Sequence, residues 1–487
     1  MARLNLDGAR PGTGAARRVP LPGRRRRARL FAHEARELLR LAGPIIVSQL
    51  GGVAMNVTDT IMVAPLGAEA LAAAGVGVSV HIFALMLCMG TVMGMSPLVS
   101  QAYGAGDRDE TRRVLVQGLW VAALFAIPVA ALSAAGGSFA DLLGQPPAVA
   151  EIAGRFLVVL APGVLATMLF TAFRQYLDGM GITRVAMVLN FVGVAVNVAL
   201  NWILIWGVEG VVRPMGVVGS GIATTVVRWA ILAGMIAYVA SRADLTPFGR
   251  VSLRPAWERM RRIVAIGLPV GASLGAEIGC FSMAALMMGW LGPVEMAAHQ
   301  VALNLVSTTF MVAMGASLAG SIRVGQHIGA GRERAVRRAA GATYLVALLF
   351  MGLCALLFLA VPRQLIGIYT SDPGIVGFGT SLLFVAALFQ IFDGAQVAGL
   401  CILRGAADTR VPMAITVLGY WMIGIPVGYY LGFHTPLRES GIWTGLVVSL
   451  AVVGALLFWR VRRVLWSRPL APTAARAGDP AIALAGD

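Results

Sequence analysis

The 487-residue chain contains no lysine; all 39 of its basic residues are arginine. Acidic residues are also few, 23 in total, so the formal net charge is +16 although only 13% of residues are charged. So little charge does not cover the surface of a soluble protein of this length. The four cysteines, Cys88, Cys280, Cys354 and Cys401, all fall inside apolar runs, with no CxxC spacing. That excludes a disulfide scaffold and reads them as small buried hydrophobes. No HExxH, no Walker A sequence and no His/Cys cluster with metal-ligand spacing is present. Their absence argues against a metalloenzyme and against an ATP-driven pump. The expectation is a protein that is not an enzyme, carries no cofactor and binds no nucleotide.

Apolar sequence is what the chain has in excess. Hydrophobic residues make up 58% of it, and the mean hydropathy is +0.79. Runs about as long as a bilayer span recur along it. They predict twelve transmembrane helices near 41–66, 70–96, 115–136, 149–173, 185–207, 217–241, 263–290, 294–322, 340–361, 375–403, 411–432 and 440–460. A pI near 11 could suggest nucleic acid as a partner, but the arginines are not grouped on one soluble face. They collect in alternate short loops: Arg108, Arg112 and Arg113; Arg174 and Arg184; Arg242 to Arg262; Arg323 to Arg338; Arg404 and Arg410. The intervening loops hold only Arg155, Arg213, Arg363 and Arg438. By the positive-inside rule this predicts a multi-pass protein of the bacterial inner membrane with both termini cytoplasmic. The first apolar run is too long for a signal peptide and lacks a small-residue cleavage site, so residues 1–40 read as a basic cytoplasmic arm.

The chain also repeats itself. GMSPLVSQAYGAGDRDETRR at 94–113 returns as AGSIRVGQHIGAGRERAVRR at 319–338, an offset of 225. The same offset pairs Pro44 with Pro269 and Leu66-Gly67 with Leu291-Gly292. Six spans separate the copies, an even number, so the halves enter the membrane in the same direction. Such parallel repeats build many secondary transporters, with the site between them. The expected layout is a basic tail at 1–40, a six-helix lobe at 41–241, a linker at 242–262, a second lobe at 263–463 and a tail at 464–487. The repeated Gln–Gly–Ala loops read as turns that let helices approach closely.

Three acids fall at membrane depth: Asp59, Glu277 and Asp393. A carboxylate there is costly and is a functional hypothesis by default. Low dielectric disfavours its charged form, so a proton or a cation neutralises it. At the repeat offset Asp59 meets Ala284, Glu277 meets Gly52, and Asp393 falls near Thr167, so each acid belongs to one lobe. Arg228 is the obvious intramembrane cation and a candidate partner for Asp59; no membrane-depth arginine is expected near Glu277 or Asp393. Polar companions that could line a cavity or support an ion are Thr60 beside Asp59, the amides Asn190, Asn197 and Asn201, and Gln300 and Asn304 at i and i+4. Phe389 lies one turn before Asp393.

The stretches VTDTIMVAPLG (57–67), VSQAYGAG (99–106), AAHQVALN (297–304), VGQHIGAG (324–331) and LRGAADTRVP (403–412) resemble the multidrug and toxic compound extrusion (MATE) family. Their order and repetition span residues 41–463. Glu277 and Asp393 with their flanks are similar to the NorM-like branch, in which the matching carboxylates are implicated in cation coupling. Asp59 matches the first-helix acid used by several branches. The resemblance implies an all-α fold of twelve helices in two six-helix lobes around a central cavity. It also implies export of amphipathic, cationic small molecules in exchange for Na⁺ or H⁺, with Na⁺ held at Glu277 and Asp393. Phe389 departs from Na⁺-coupled members that carry tyrosine there. A flippase for lipid-linked saccharides is the alternative on the same architecture. The lipid bilayer is the expected surrounding, and a monomer suffices, since two lobes already complete a cavity.

Overall fold

The structure, a computed structural model, describes residues 24–135, 147–247 and 249–466. Residues 1–23 and 467–487, which hold much of the two expected tails, lie outside them. Twelve of its helices are long and apolar enough to cross a membrane. They are α1 Arg24–Val63, α2 Ala68–Val92 continued after a turn as Met95–Gly104, and α3 Arg108–Ala134. Next come α4 Pro147–Gly179, α5 Arg184–Trp206, α6 Gly216–Ser241, α7 Trp257–Leu291 and α8 Pro293–Gly329. Then follow α9 Glu333–Ala360, α10 Pro373–Gly405, α11 Arg410–Phe433 and α12 Arg438–Trp466. Helices are the expected form here, because lipid offers no partner for an open backbone group.

Helices α1–α6 and α7–α12 form the two lobes. The first packs around Leu115, Met168, Tyr176 and Met235; the second around Met288, Phe389, Trp443 and Leu450. The linker is fastened to the first lobe. The Gln117 amide donates to Arg254 O at 2.9 Å and accepts from Ala256 N at 2.7 Å, and Tyr176 Oη donates to Leu245 O at 2.7 Å.

The lobes meet at the arginine-rich end, and the repeat is written into that contact. Gln101 Nε2 donates to Gly405 O at 3.0 Å, and its repeat mate Gln326 donates to Gly179 O at 3.1 Å. Each glutamine thus caps the last turn of a helix in the other lobe, α10 or α4. Gly104 and Gly329 allow this approach. A Cβ on Gly104 would meet the Gln326 backbone, and one on Gly329 the Gln101 backbone. Gly106 and Gly331 turn the chain just beyond, at φ +81° and +65°, a region open to glycine without penalty. The expected turns are present, and the glutamines beside them are a reciprocal clasp between the lobes. Further in, Gly90 meets Gly271, and Gly315 meets Ile46.

One boundary differs from expectation. The first helix begins at Arg24 and not near Leu41. Its extension crosses to the second lobe, where Leu38, Ala42 and Ile45 pack against Ala316, Ala319 and Ile322. The Arg323 guanidinium donates to both oxygens of Glu34, at 2.8 and 3.0 Å, and His327 stands 3.2 Å from the same carboxylate. A hydropathy reading sees only the arginines of this stretch and not the buried face they flank.

Candidate functional site

The membrane-depth acids occupy two places, one per lobe. Asp59, on α1, is held by α5 and α6. Asn201 Nδ2 donates to its Oδ1 at 2.6 Å, and Thr224 Oγ1 donates to its Oδ2 at 3.0 Å. Asn201 Nδ2 also donates to Asn197 Oδ1 at 3.1 Å. Both amides are fully buried, and Asn201 Oδ1 has no donor. A carboxylate held by neutral donors, with no cation in contact among the described residues, can take up a proton or a small hard cation. Arg228 lies within electrostatic reach of Asp59 but does not touch it. No ion pair to Asp59 occurs among the described residues, and one guanidinium nitrogen, Nη1, is buried without an acceptor. Asn190 stands apart and donates to Ser48 Oγ at 2.6 Å. Thr60 is exposed and bonds back to Asn56 O.

In the second lobe, Glu277 on α7 faces α10 and α11. Asp393, on α10, is 2% exposed, and Glu277 lies within its electrostatic reach. Phe389, one turn earlier, is buried between Phe281 and Trp443, with ring centroids 6.0 and 5.8 Å away. Trp443 Nε1 donates to His299 Nδ1 at 3.1 Å, so that imidazole is neutral with its proton on Nε2. Gln390 Nε2 donates to Thr309 Oγ1 at 2.6 Å, and its Oε1 has no donor.

Two residues of this site are not read from the sequence. Tyr420 sits on a π-helical turn, Gly419–Gly424, in α11, the kind of helical irregularity that gathers at functional sites. Ser449 Oγ takes up the Gly419 carbonyl at 2.8 Å, and Trp421 Nε1 reaches Ala276 O at 3.2 Å. The turn is thereby pinned to the stretch of α7 that carries Glu277. The Tyr420 hydroxyl is buried without a partner, within electrostatic reach of Glu277 and Asp393. The other residue is Arg404. The sequence places it in a loop, yet it closes α10, is 7% exposed and lines a cavity with Glu277. The second lobe therefore does hold an arginine near its acids.

Gln300 and Asn304 share one face of α8 as their spacing requires. With Ser307 and Thr308 they make an exposed polar stripe, which suits a water-filled cleft better than lipid. Asn304 Nδ2 bonds to Gln300 O at 3.0 Å. The segment Gly271–Gly275 spells GxSxG. Ser273, however, lies inside unbroken helix and donates to Pro269 O at 2.9 Å, not on the strand-to-helix elbow a nucleophile needs.

Among known proteins, the MatE family model matches residues 44–203 and 269–430, once in each lobe. A probable multidrug resistance protein NorM from Mesorhizobium japonicum is 35% identical over 460 residues, covering 92% of this chain and 98% of that protein. The multidrug resistance protein PmpM of Pseudomonas aeruginosa is 37% identical, covering 88% and 91%. Among solved structures, the eukaryotic MATE transporter AtDTX14 superposes with a TM-score of 0.81 at 22% identity, covering 92% of this chain and 98% of that one. A multidrug resistance MATE family transporter described in an outward-facing conformation gives 0.81 at 20%, covering 89% and 96%.

Proposed function

The chain belongs to the MatE family, and from that premise we propose that it is a secondary antiporter exporting amphipathic, cationic compounds in exchange for Na⁺ or H⁺. The observation that carries the reading is the carboxylate site at membrane depth in each lobe of a multi-pass membrane protein whose lobes are clasped at one end. The arginine-rich end is taken as cytoplasmic, so the clasped state opens outward.

Exchange needs an ion and a cargo that prefer different lobe arrangements; without differential affinity neither shifts the equilibrium. In the clasped state the coupling cation enters from outside and neutralises Glu277 and Asp393. Asp59, with Asn201 and Thr224 as its donors, is a second proton or cation site. The exposed stripe of Gln300 and Asn304 lines the path of the cargo. Opening of the clasp turns both sites toward the cytoplasm. The named activity of the relatives, multidrug resistance, fits this cargo class.

Ethidium efflux from proteoliposomes under an imposed Na⁺ gradient, or separately a pH gradient, tests the reading. Efflux under one gradient is expected and names the ion. Asp393→Asn and Glu277→Gln are each expected to lower it at least about a hundredfold, since removing a coupling charge deletes the driving step. Normal efflux in both variants would sink the assignment of these carboxylates.

A further inference from the structure

The cavity that joins Glu277 to Arg404 is walled by second-lobe residues and ends beside the clasp, Arg404 being the neighbour of Gly405. Val270, Ser273, Gln396, Val397, Cys401 and Thr409 are among its other walls. Its volume is about 20 Å³, enough for one water. Along α10 the walls run from Gln396 to Arg404, about 12 Å at the helical rise. Three polar side-chain atoms on these walls are buried and unpartnered: Gln396 Oε1, Gln396 Nε2 and Arg404 Nε. Buried polar atoms left without partners call for an explanation, and a water in the cavity beside Glu277 would give Arg404 Nε its partner.

The charge on Arg404 has no direct counterion. Among the described residues no carboxylate forms an ion pair with it. Asp408, the other acid on the cavity wall, is taken by Arg460 at 2.8 Å. Glu277 is the remaining acid on the wall. An unpaired guanidinium in a membrane lobe is costly, and its position has a use. A cation on Glu277 has below it a narrow seam, with Ser273, Gln396 and Thr409 set among apolar side chains, leading to Asp408 and Thr409 at the arginine-rich end. Passage along that seam would dissipate the gradient while the clasp is shut.

We propose that Arg404 is the fixed positive charge that bars the coupling cation from this seam, with that water tying it to Glu277. A buried arginine excludes cations from a narrow polar path by electrostatics. Arg404 is thus a positioning and selectivity residue that acts on the ion step and does not touch cargo. The inference rests on the assignment of Glu277 as a coupling-ion ligand.

The test is passive Na⁺ and H⁺ leak into proteoliposomes holding the full chain, with no ethidium present. Arg404→Gln is expected to raise the leak at least about tenfold, because the barrier loses its charge. Arg404→Lys is expected to hold the wild-type value, and adding Glu277→Gln to Arg404→Gln should return the leak to that value. Should Arg404→Gln fail to fold, judged by loss of ethidium binding, Arg404→Ala carries the same expectation. A wild-type leak in a neutral variant that still binds ethidium overturns the proposal. So does a raised leak that persists when Glu277 is also changed. If wild type couples efflux to an ion and Glu277→Gln abolishes it, the antiporter reading stands whatever the leak shows. If Glu277→Gln leaves coupled efflux intact, that reading is what has failed.

Discussion

Asp59 and Asn190 show that helical spacing alone does not fix which partner a side chain meets. Asn190, Asn197 and Asn201 share a helical face by spacing, yet α1 divides them. Ser48 takes Asn190, and Asp59 takes Asn201. Asn201→Ala should therefore strip the carboxylate of its shortest hydrogen bond, while Asn190→Ala should leave it intact. A hydrogen bond to a charged group is worth about 1.5–3 kcal/mol, so the ion affinity of the first-lobe site should shift about tenfold or more in Asn201→Ala. Ion titration of ethidium efflux in the two variants checks this, and equal effects would remove the distinction. Pattern reading located the acids because carboxylates are rare in apolar runs. It missed Arg404 because one arginine at a helix end looks the same in sequence whether it turns inward or out to a loop. It missed Tyr420 because nothing in GYWMIG announces that the helix widens to a π turn there.

At the scale of the helix, contact between lobes depends on backbones that almost touch. A Cβ on Gly267 of α7 would run into the Thr91 backbone of α2. Gly267→Val is thus expected to force these helices apart. Overpacking of this kind costs about 1–3 kcal/mol; thermal unfolding in detergent should show a lower Tm, and transport under a fixed gradient should fall. The same substitution at Gly43 on α1, where a Cβ would meet nothing, is the matched control. Span positions were largely legible, since apolar runs of bilayer length have one economical solution in lipid. Helix ends were less so. Arg24 to Arg40 are helical because Leu38 and Glu34 find partners on α8, and partners distant in sequence leave no local trace.

At the scale of the molecule, the proposed exchange requires the glutamine clasp to open. Gln101→Leu with Gln326→Leu removes two hydrogen bonds, worth about 1 kcal/mol each. About 2 kcal/mol changes the ratio of closed to open forms about 30-fold. Spin labels on Arg108→Cys and Arg332→Cys, two exposed sites beside the repeat-related turns, should report longer distances in the double variant. An unchanged distance distribution would show that Glu34, Arg323 and the glycine contacts hold the end shut without the amides. The two-lobe plan itself was readable from the repeat, whose offset of 225 relates Gln101 to Gln326 and Gly104 to Gly329. The clasp was not, because a glutamine beside a turn gives no sign of whether its amide stays at home or crosses.

The two halves of that clasp are interchangeable in form: each glutamine donates a hydrogen bond to the final helical carbonyl opposite, and each glycine clears the way for the other's backbone. A surface that complements itself in this manner needs no second, different surface. Two identical six-helix chains, each bearing one glutamine and one glycine, would close on each other by the same bonds about a two-fold axis. The contact thus carries the geometry of a homodimer within a single chain. The pieces that the repeat does not duplicate, Asp59, Glu34, Glu277 and Arg404, are where the two halves depart from each other.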